Sequence, residues 1–533
     1  MKDFVLMQPT AIAYIALFAV TALIYYVLPL KIRNAWLIIA SLVFIGINDF
    51  RYAAVAFAAA VFTWGAGRLI RKASGSGRSF AAKVILTLHI AVILAMVLCL
   101  RYFAAKIGIL TIPEAESAVA AAGEAASIAA KAASAMGIEA AAPVIAPAAL
   151  IPVGIMIYSL KAISYTAGIF RKGSYYSEDS YQSEATGCEG FGACILYLLF
   201  FPVLTVGPID TPEGFALKIS EGNRFRYENL QEGFLLILWG FLLKLVLADN
   251  IADYVDMAFT EDPTVDVCGA FVLIASILLP IQIYATFYGL SAVASGYARI
   301  LGFETPENFG TPFLSGSMNE FRKSWNSTLN GWMERNIYTP LTKGRSSKLY
   351  RALCLILMTL CIGAWYGKNS HYIAGALLLG IYEVIESATV CRHRKDAPER
   401  RHSDRGVSRV IMTVIRYAVC SLACVFFRSV RLLQTEAELM RIETDFRAPN
   451  LSNSALADLG FLPRYWVLVI AGIAVLLAAD IFKKKGIVIH KWIRGKVYPV
   501  RLLVYLTAFV IIMIFGCWGF GYHEPHLLCD FLN

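Results

Sequence analysis

Charge is scarce in this sequence. Asp, Glu, Lys and Arg make up 16% of its 533 residues, against 58% hydrophobic residues, where a soluble globular chain carries about 25% charged residues. That shortage excludes a protein that keeps most of its side chains at a water surface. Paired cysteines are missing too: the 11 cysteines form no CxxC, and Cys99, Cys354, Cys361, Cys420 and Cys424 fall in apolar runs, where a thiol behaves as a small hydrophobe. Neither a metal centre nor a disulfide framework is expected. No internal repeat and no separate polar domain is visible, so residues 1–533 read as one membrane domain. The paired broken helices of an inverted-repeat transporter are also absent.

What the sequence has in abundance is long apolar runs. Crossing a hydrocarbon core of about 30 Å takes roughly 20 helical residues, and candidates for this fall at 10–30, 35–49, 53–70, 83–103, 148–170, 229–250, 266–290, 350–365, 371–390, 408–427, 463–482 and 500–519. A shorter run, 190–207, reads as re-entrant. The first run leads into another span and lacks a small-residue cleavage site, so it reads as a helix rather than a removable signal. The fold class is therefore an all-α polytopic membrane protein.

The net charge of +10 does not point to nucleic acid, because the basic residues gather in short loops where they set topology. RKASGSGR (71–78), the basic loop at 391–406 and KKKGIVIHKWIRGK (483–496) are expected on the cytoplasmic side. Counting spans from these loops puts both termini outside. One stretch differs from the rest: 113–149 is Ala-rich, closed by prolines and nearly free of large apolar groups. It reads as an extracytoplasmic insertion with little to bury.

An ionisable group inside a span is costly unless it faces protein or water. Lys161 lies nearest mid-span. Lys244 and Asp249 sit near a helix end, where they snorkel or pair. Glu383 and Glu386 lie close to the basic loop and read as a solvated helix end. His89 reads as a packed core group, His393 and His402 as part of the basic loop, and His523 and His526 as surface groups or lining of an outer mouth.

Several stretches together resemble the membrane-bound O-acyltransferase (MBOAT) family, in particular its bacterial alginate O-acetyltransferase-like and teichoic-acid D-alanyl transfer branch. IPVGIMIYSLKAISYTAGIFRKG (151–173), FFPVLTVGPIDTPEGF (200–215), GFLLKLVLADNIADYVD (240–256), IQIYATFYGLSAVASGYARILGFETPENF (281–309) and PFLSGSMNEFRKSWNSTLNGWMERNIYTPL (312–341) follow the family's order. FFRSVRLLQTEAELM (426–440) and the closing FGCWGFGYHEPHLLCDFLN are similar to the long-form carboxyl region. The resemblance implies a bundle of roughly 11–13 transmembrane or re-entrant helices around a central funnel. It also implies a cell-membrane location and a cytosolic acyl thioester donor, acyl-CoA or acyl-carrier protein, with no bound cofactor. The implied acceptor is a hydroxyl of an extracytoplasmic polysaccharide or teichoic acid, and the implied partners are the lipid bilayer and an outer acyl-relay or polymer-modifying protein.

The family's WHG histidine aligns with Tyr366 in Trp365-Tyr366-Gly367, and its RWH motif aligns with Ser324-Trp325-Asn326. A tyrosine thus stands where the base is expected, and an unperturbed phenol, with a pKa of about 10, is a hydrogen-bond donor near neutral pH. His371, five residues on, is the substitute base if its loop folds back; the competing reading is a helix-opening cap. Asn326, Tyr366 and His371 are therefore the candidate catalytic residues. Trp325, Trp365, Lys161, Gln282, Tyr284, Asn308, Trp332 and Arg335 are the candidate funnel residues, and none is a metal ligand. Aspartates usual in the family are replaced by Gly168, Thr286 and Ala292. Two functions follow: an envelope-polymer O-acyltransferase, or a catalytically impaired relative that serves as a binding or assembly partner.

Overall fold

The structure, a computed structural model, describes residues 9–47, 50–100, 154–175, 190–220, 224–260, 267–367, 369–396, 402–429, 432–445 and 463–517. The Ala-rich 113–149 stretch, His523 and His526 lie outside them. Among the described residues there are helices and no strand. In chain order these are α1 Ile12–Val27, α2 Leu30–Gly46, α3 Phe50–Gly75, α4 Ser79–Leu98, α5 Ile155–Tyr175, α6 Phe191–Leu199, α7 Pro212–Ser220, α8 Tyr227–Ala258 and α9 Gly269–Ile300. They continue as α10 Met318–Ser324, α11 Ser327–Met333, α12 Lys348–Tyr366, α13 Ser370–Asp396, α14 His402–Arg428, α15 Leu432–Thr444, α16 Pro463–Lys484, α17 Ile489–Arg494 and α18 Tyr498–Phe515.

Nine helices among the described residues are long and apolar enough to cross a membrane, and two shorter apolar ones, Ile12–Val27 and Phe191–Val203, accompany them. The protein is an all-α polytopic membrane protein. Burial grades across it: 78% of the apolar window of α9 is buried in protein, but only 6% of that of α18. Val414, Val467, Leu503 and Ile514 point out of the bundle, as lipid-facing side chains do.

Helix α9 can be central because α8 approaches it closely. A methyl group on Gly240 would come within 2.4 Å of the Gly289 carbonyl oxygen, and one on Gly296 within 2.6 Å of that of Gly233. Small residues at such crossings let backbones touch in the absence of a water-driven hydrophobic force. Just past the Gly240 contact α8 winds into a π-helical run, Leu242–Ala248, with Lys244 and Asp249 paired at 2.6 Å and both side chains buried. Of the two sequence alternatives for these residues, pairing is the one realised. His89 is a core group: its ring nitrogens lie 3.1 Å from Thr63 Oγ1 and 3.2 Å from Thr166 Oγ1, joining α3, α4 and α5.

The solvated helix end expected at Glu383 and Glu386 is not what forms. Both are buried. Glu383 pairs with Arg322 Nε at 3.0 Å, and Glu386 with Arg416 at 3.2 Å while accepting from the Met318 amide. The physical reason is that α10 folds back against α13 and needs buried acceptors for the donors at its own start.

Candidate active site

The site grows from a broken helix. Ser317 caps α10 by accepting from the Glu320 amide, and Glu320 accepts in return from the Gly316 amide at 2.7 Å, a reciprocal arrangement that fixes a helix start. After seven helical residues the chain leaves the helix: Trp325 is extended, and Asn326 takes left-handed backbone angles, φ 42° and ψ 58°. Asparagine tolerates that region where most side chains do not. The turn carries Asn326 to the end of α12, where its Nδ2 donates to the Tyr366 hydroxyl at 3.1 Å.

The turn is held from outside. Asn308 O accepts from the Ser327 amide at 2.6 Å, and Asn308 Oδ1 from Thr328 Oγ1 at 2.6 Å; the Gly310 amide donates to Ser324 O at 2.7 Å. The 307–314 segment is itself clamped by α9 and α16. The Tyr284 hydroxyl lies 3.0 Å from Gly310 O and 3.2 Å from the buried Asp480 carboxylate, while Lys483 donates to Phe309 O and pairs with Glu307 at 3.0 Å. Asn308 and Tyr284 thus act here as braces of the turn. Asp480 was open to detection in the sequence, because a carboxylate in an apolar span needs a partner.

Beside Tyr366 is a cavity of about 110 Å³. Its wall is mostly apolar, with Ile283 and Phe287 from α9, Leu379 from α13 and Cys424 and Phe427 from α14, and it is edged by Arg322 and Glu383. Asn330 reaches it as well. The Asn330 Nδ2 is used twice, on Trp325 O at 2.6 Å and Asn326 O at 3.3 Å, which fixes the amide orientation. Its Oδ1 is buried with no hydrogen-bond partner. Nothing in the sequence singled out Asn330 except its place one helical turn after Asn326.

His371 opens α13 and is buried, its ring 4.6 Å from that of Tyr372. Tyr372 lines the cavity with Tyr366, and His371 does not. Trp365 packs against Tyr366 with ring centres 5.1 Å apart. Trp332 donates to Ser164 Oγ at 2.7 Å and Leu160 O at 3.0 Å, tying α11 to α5. Lys161 is fully buried, donating to Tyr197 O at 3.1 Å with its ammonium over the Tyr197 and Phe215 rings. Gln282 is buried in α9 with Oε1 lacking a partner, and Arg335 is exposed.

Helices that bury polar braces around one asparagine–tyrosine pair define a membrane protein with an internal polar centre, and comparison with known proteins gives the class. Residues 182–382 match the family model described as MBOAT, membrane-bound O-acyltransferase family. The matched segment contains Asn326, Asn330 and Tyr366. The chain is 26% identical over 370 residues to the "Probable alginate O-acetylase AlgI" of Azotobacter vinelandii, covering 68% of this chain and 65% of that protein. It is 27% identical over 239 residues to the peptidoglycan O-acetyltransferase of Helicobacter pylori, 44% of each chain. With the teichoic acid D-alanyltransferase of Bacillus subtilis it shares 26% identity over 200 residues, 36% of this chain and 49% of that one. The matches thus span from about half to just under two thirds of these relatives' lengths.

Proposed function

We propose that the protein is a membrane O-acyltransferase that moves an acyl group from a cytosolic thioester donor to a hydroxyl of an extracytoplasmic cell-envelope polymer. The observation that carries this reading is the Asn326–Tyr366 hydrogen bond beside an apolar cavity, within the segment that matches the family. The hydroxyl oxygen attacks the thioester carbonyl carbon, the carbon–sulfur bond breaks, and the hydroxyl proton ends on the departing sulfur. Tyr366, whose hydroxyl oxygen accepts from Asn326 Nδ2, donates its proton to the thioester oxygen as negative charge develops there. Asn330 Oδ1, without a donor in the fold, accepts from the attacking hydroxyl and orients its lone pair. A strong base at this place is worth about 10²–10⁴ in rate, so this centre works by electrophilic help and is slower than one built on histidine.

Reconstituted transfer with the full chain tests the reading. Tyr366→Phe keeps the ring and removes the donor, and should cost about 10²–10³ in rate, the usual cost of one oxyanion donor. Tyr366→His should raise transfer. Native transfer in Tyr366→Phe would overturn the role of Tyr366. No transfer from any donor, before or after Tyr366→His and with the protein folded, would favour the assembly-partner reading. The orientation is tested separately: cysteines at Ala126 and Ser403 should label with an impermeant reagent from outside and inside respectively, and labelling of both from one side would remove the two-sided geometry.

A further inference from the structure

We propose that the donor's acyl group is a neutral short alkanoyl chain longer than acetyl, seated in the apolar cavity beside Tyr366, and that an aminoacyl group is disfavoured there. The inference rests on the reading of Tyr366 as the place of the thioester carbonyl. Size is the first argument. Water occupies about 30 Å³ in the liquid, and a dry cavity of about 150 Å³ accepts benzene, so about 110 Å³ holds about three or four heavy atoms. An acetyl methyl leaves most of that space empty, whereas the three carbons beyond a butyryl carbonyl fill it.

Charge is the second argument. A D-alanyl thioester carries an ammonium next to its carbonyl, and that cation needs a carboxylate or several acceptors when it leaves water. Glu383 is already committed to Arg322, through both carboxylate oxygens at 3.0 and 3.2 Å. The Nη1 of the same Arg322 lacks a hydrogen-bond partner, so the open polar group at this edge is a donor and not an acceptor for an ammonium. Asn330 Oδ1 is one neutral acceptor, enough for a hydroxyl and too little for an ammonium. Much of the remaining wall, including Ile283, Phe287, Leu379 and Phe427, offers contact only to carbon.

Each methylene taken from water into such a wall improves binding by about fourfold. The test uses the full chain in detergent micelles and N-acetylcysteamine thioesters of acetate, butyrate and D-alanine as probes, with affinity read by calorimetry. Butyryl, with two more methylenes, should bind about fifteenfold more tightly than acetyl, and D-alanyl should be the weakest. Cys424→Leu, which fills the space, should bring butyryl down to the acetyl level. Leu379→Ala, which enlarges it, should move the optimum to a longer chain, and it serves if Cys424→Leu fails to fold. Acetyl or D-alanyl binding as tightly as butyryl, no binding by any probe, or a preference unmoved by the variants would overturn the proposal. Size-graded binding without transfer to any hydroxyl would leave the cavity assignment standing and remove the transferase reading. Transfer without size grading would do the reverse.

Discussion

Helix α9 lies between two cavities that differ in almost every respect. Ile283 and Phe287 face the mostly apolar one beside Tyr366, whereas Tyr288, Ser291, Ser295 and Arg299 face a second of about 280 Å³. In the first, the Arg322–Glu383 pair stands at the edge and its charges satisfy one another. In the second, Glu232 is shared by Arg299 at 2.7 Å and Arg494 at 2.6 Å, Lys483 pairs with Glu307, and Glu304 and Glu307 are largely exposed. A charge that keeps contact with water costs little, and one without it needs a committed partner. The lesson is that the same helix serves a dry site and a wet one, separated by which neighbours supply polar groups.

The largest effect is expected from closing the approach that puts α9 between the cavities. Gly289→Leu would drive its side chain into the Gly240 carbonyl and the Lys244 amide, 2.8 and 3.0 Å from where the first carbon would lie. Backbone on both sides leaves no side chain to yield, so overpacking exceeds the usual cost of about 1–3 kcal/mol. The variant should fail to give a monodisperse protein on size exclusion; a native elution profile and native melting would show that α8 and α9 are not tightly fixed.

Next comes one charge placed in each cavity. Cys424→Asp puts a carboxylate into the dry wall and should lower stability by at least about 2 kcal/mol. Ser295→Asp puts one into the wet cavity and should change it by less than about 1 kcal/mol. Thermal unfolding of the purified variants, followed by tryptophan fluorescence, compares the two directly. Equal losses would erase the distinction between the cavities.

That distinction also marks what the sequence could and could not reveal. Apolar length predicts nine of the spans, the runs at 10–30, 35–49 and 148–170 forming helices outside those nine, and burial then grades them in a way composition does not. The motif resemblance located Trp325, Asn326 and Tyr366 because they are close in sequence to recognisable neighbours. Tertiary partners were another matter. Glu383 and Glu386 sit one turn apart near a basic loop, and nothing local reveals that Arg322, 61 residues away, and Arg416, 30 residues away, bury them. Asp480 and Tyr284 are 196 residues apart, so their joint hold on the Asn326 turn exists only once α16 has packed on α9. Asn330 is ordinary in sequence and becomes informative only through an acceptor left without a donor.

A smaller effect is expected from Glu232→Gln, which leaves Arg299 and Arg494 facing an amide. Both arginines keep some contact with water, so the cost should be about 1–2 kcal/mol, below that of breaking a fully buried pair. A loss as large as that of Cys424→Asp would mean that this cavity is dry as well.

The smallest concerns His490 on α17, which lines the wet cavity. Burial pushes its imidazole below the ordinary value; nearby Glu232 pulls the other way and Lys491 adds to the depression. A base whose folded pKa lies below its unfolded one binds fewer protons folded than unfolded, so stability rises with pH across that interval. Above the unfolded value of about 6.5 the ring is neutral in both states and its contribution is flat. As pH falls from about 6.5 through the depressed folded pKa, the native state loses stability. His490→Gln should therefore flatten the acid side of the stability curve in that interval and leave the alkaline side unchanged. The effect should be slight, because the ring is only half-buried and carboxylates are close enough to share its charge. Curves that stay parallel throughout would put the imidazole in full contact with water, making the second cavity wetter still than the first.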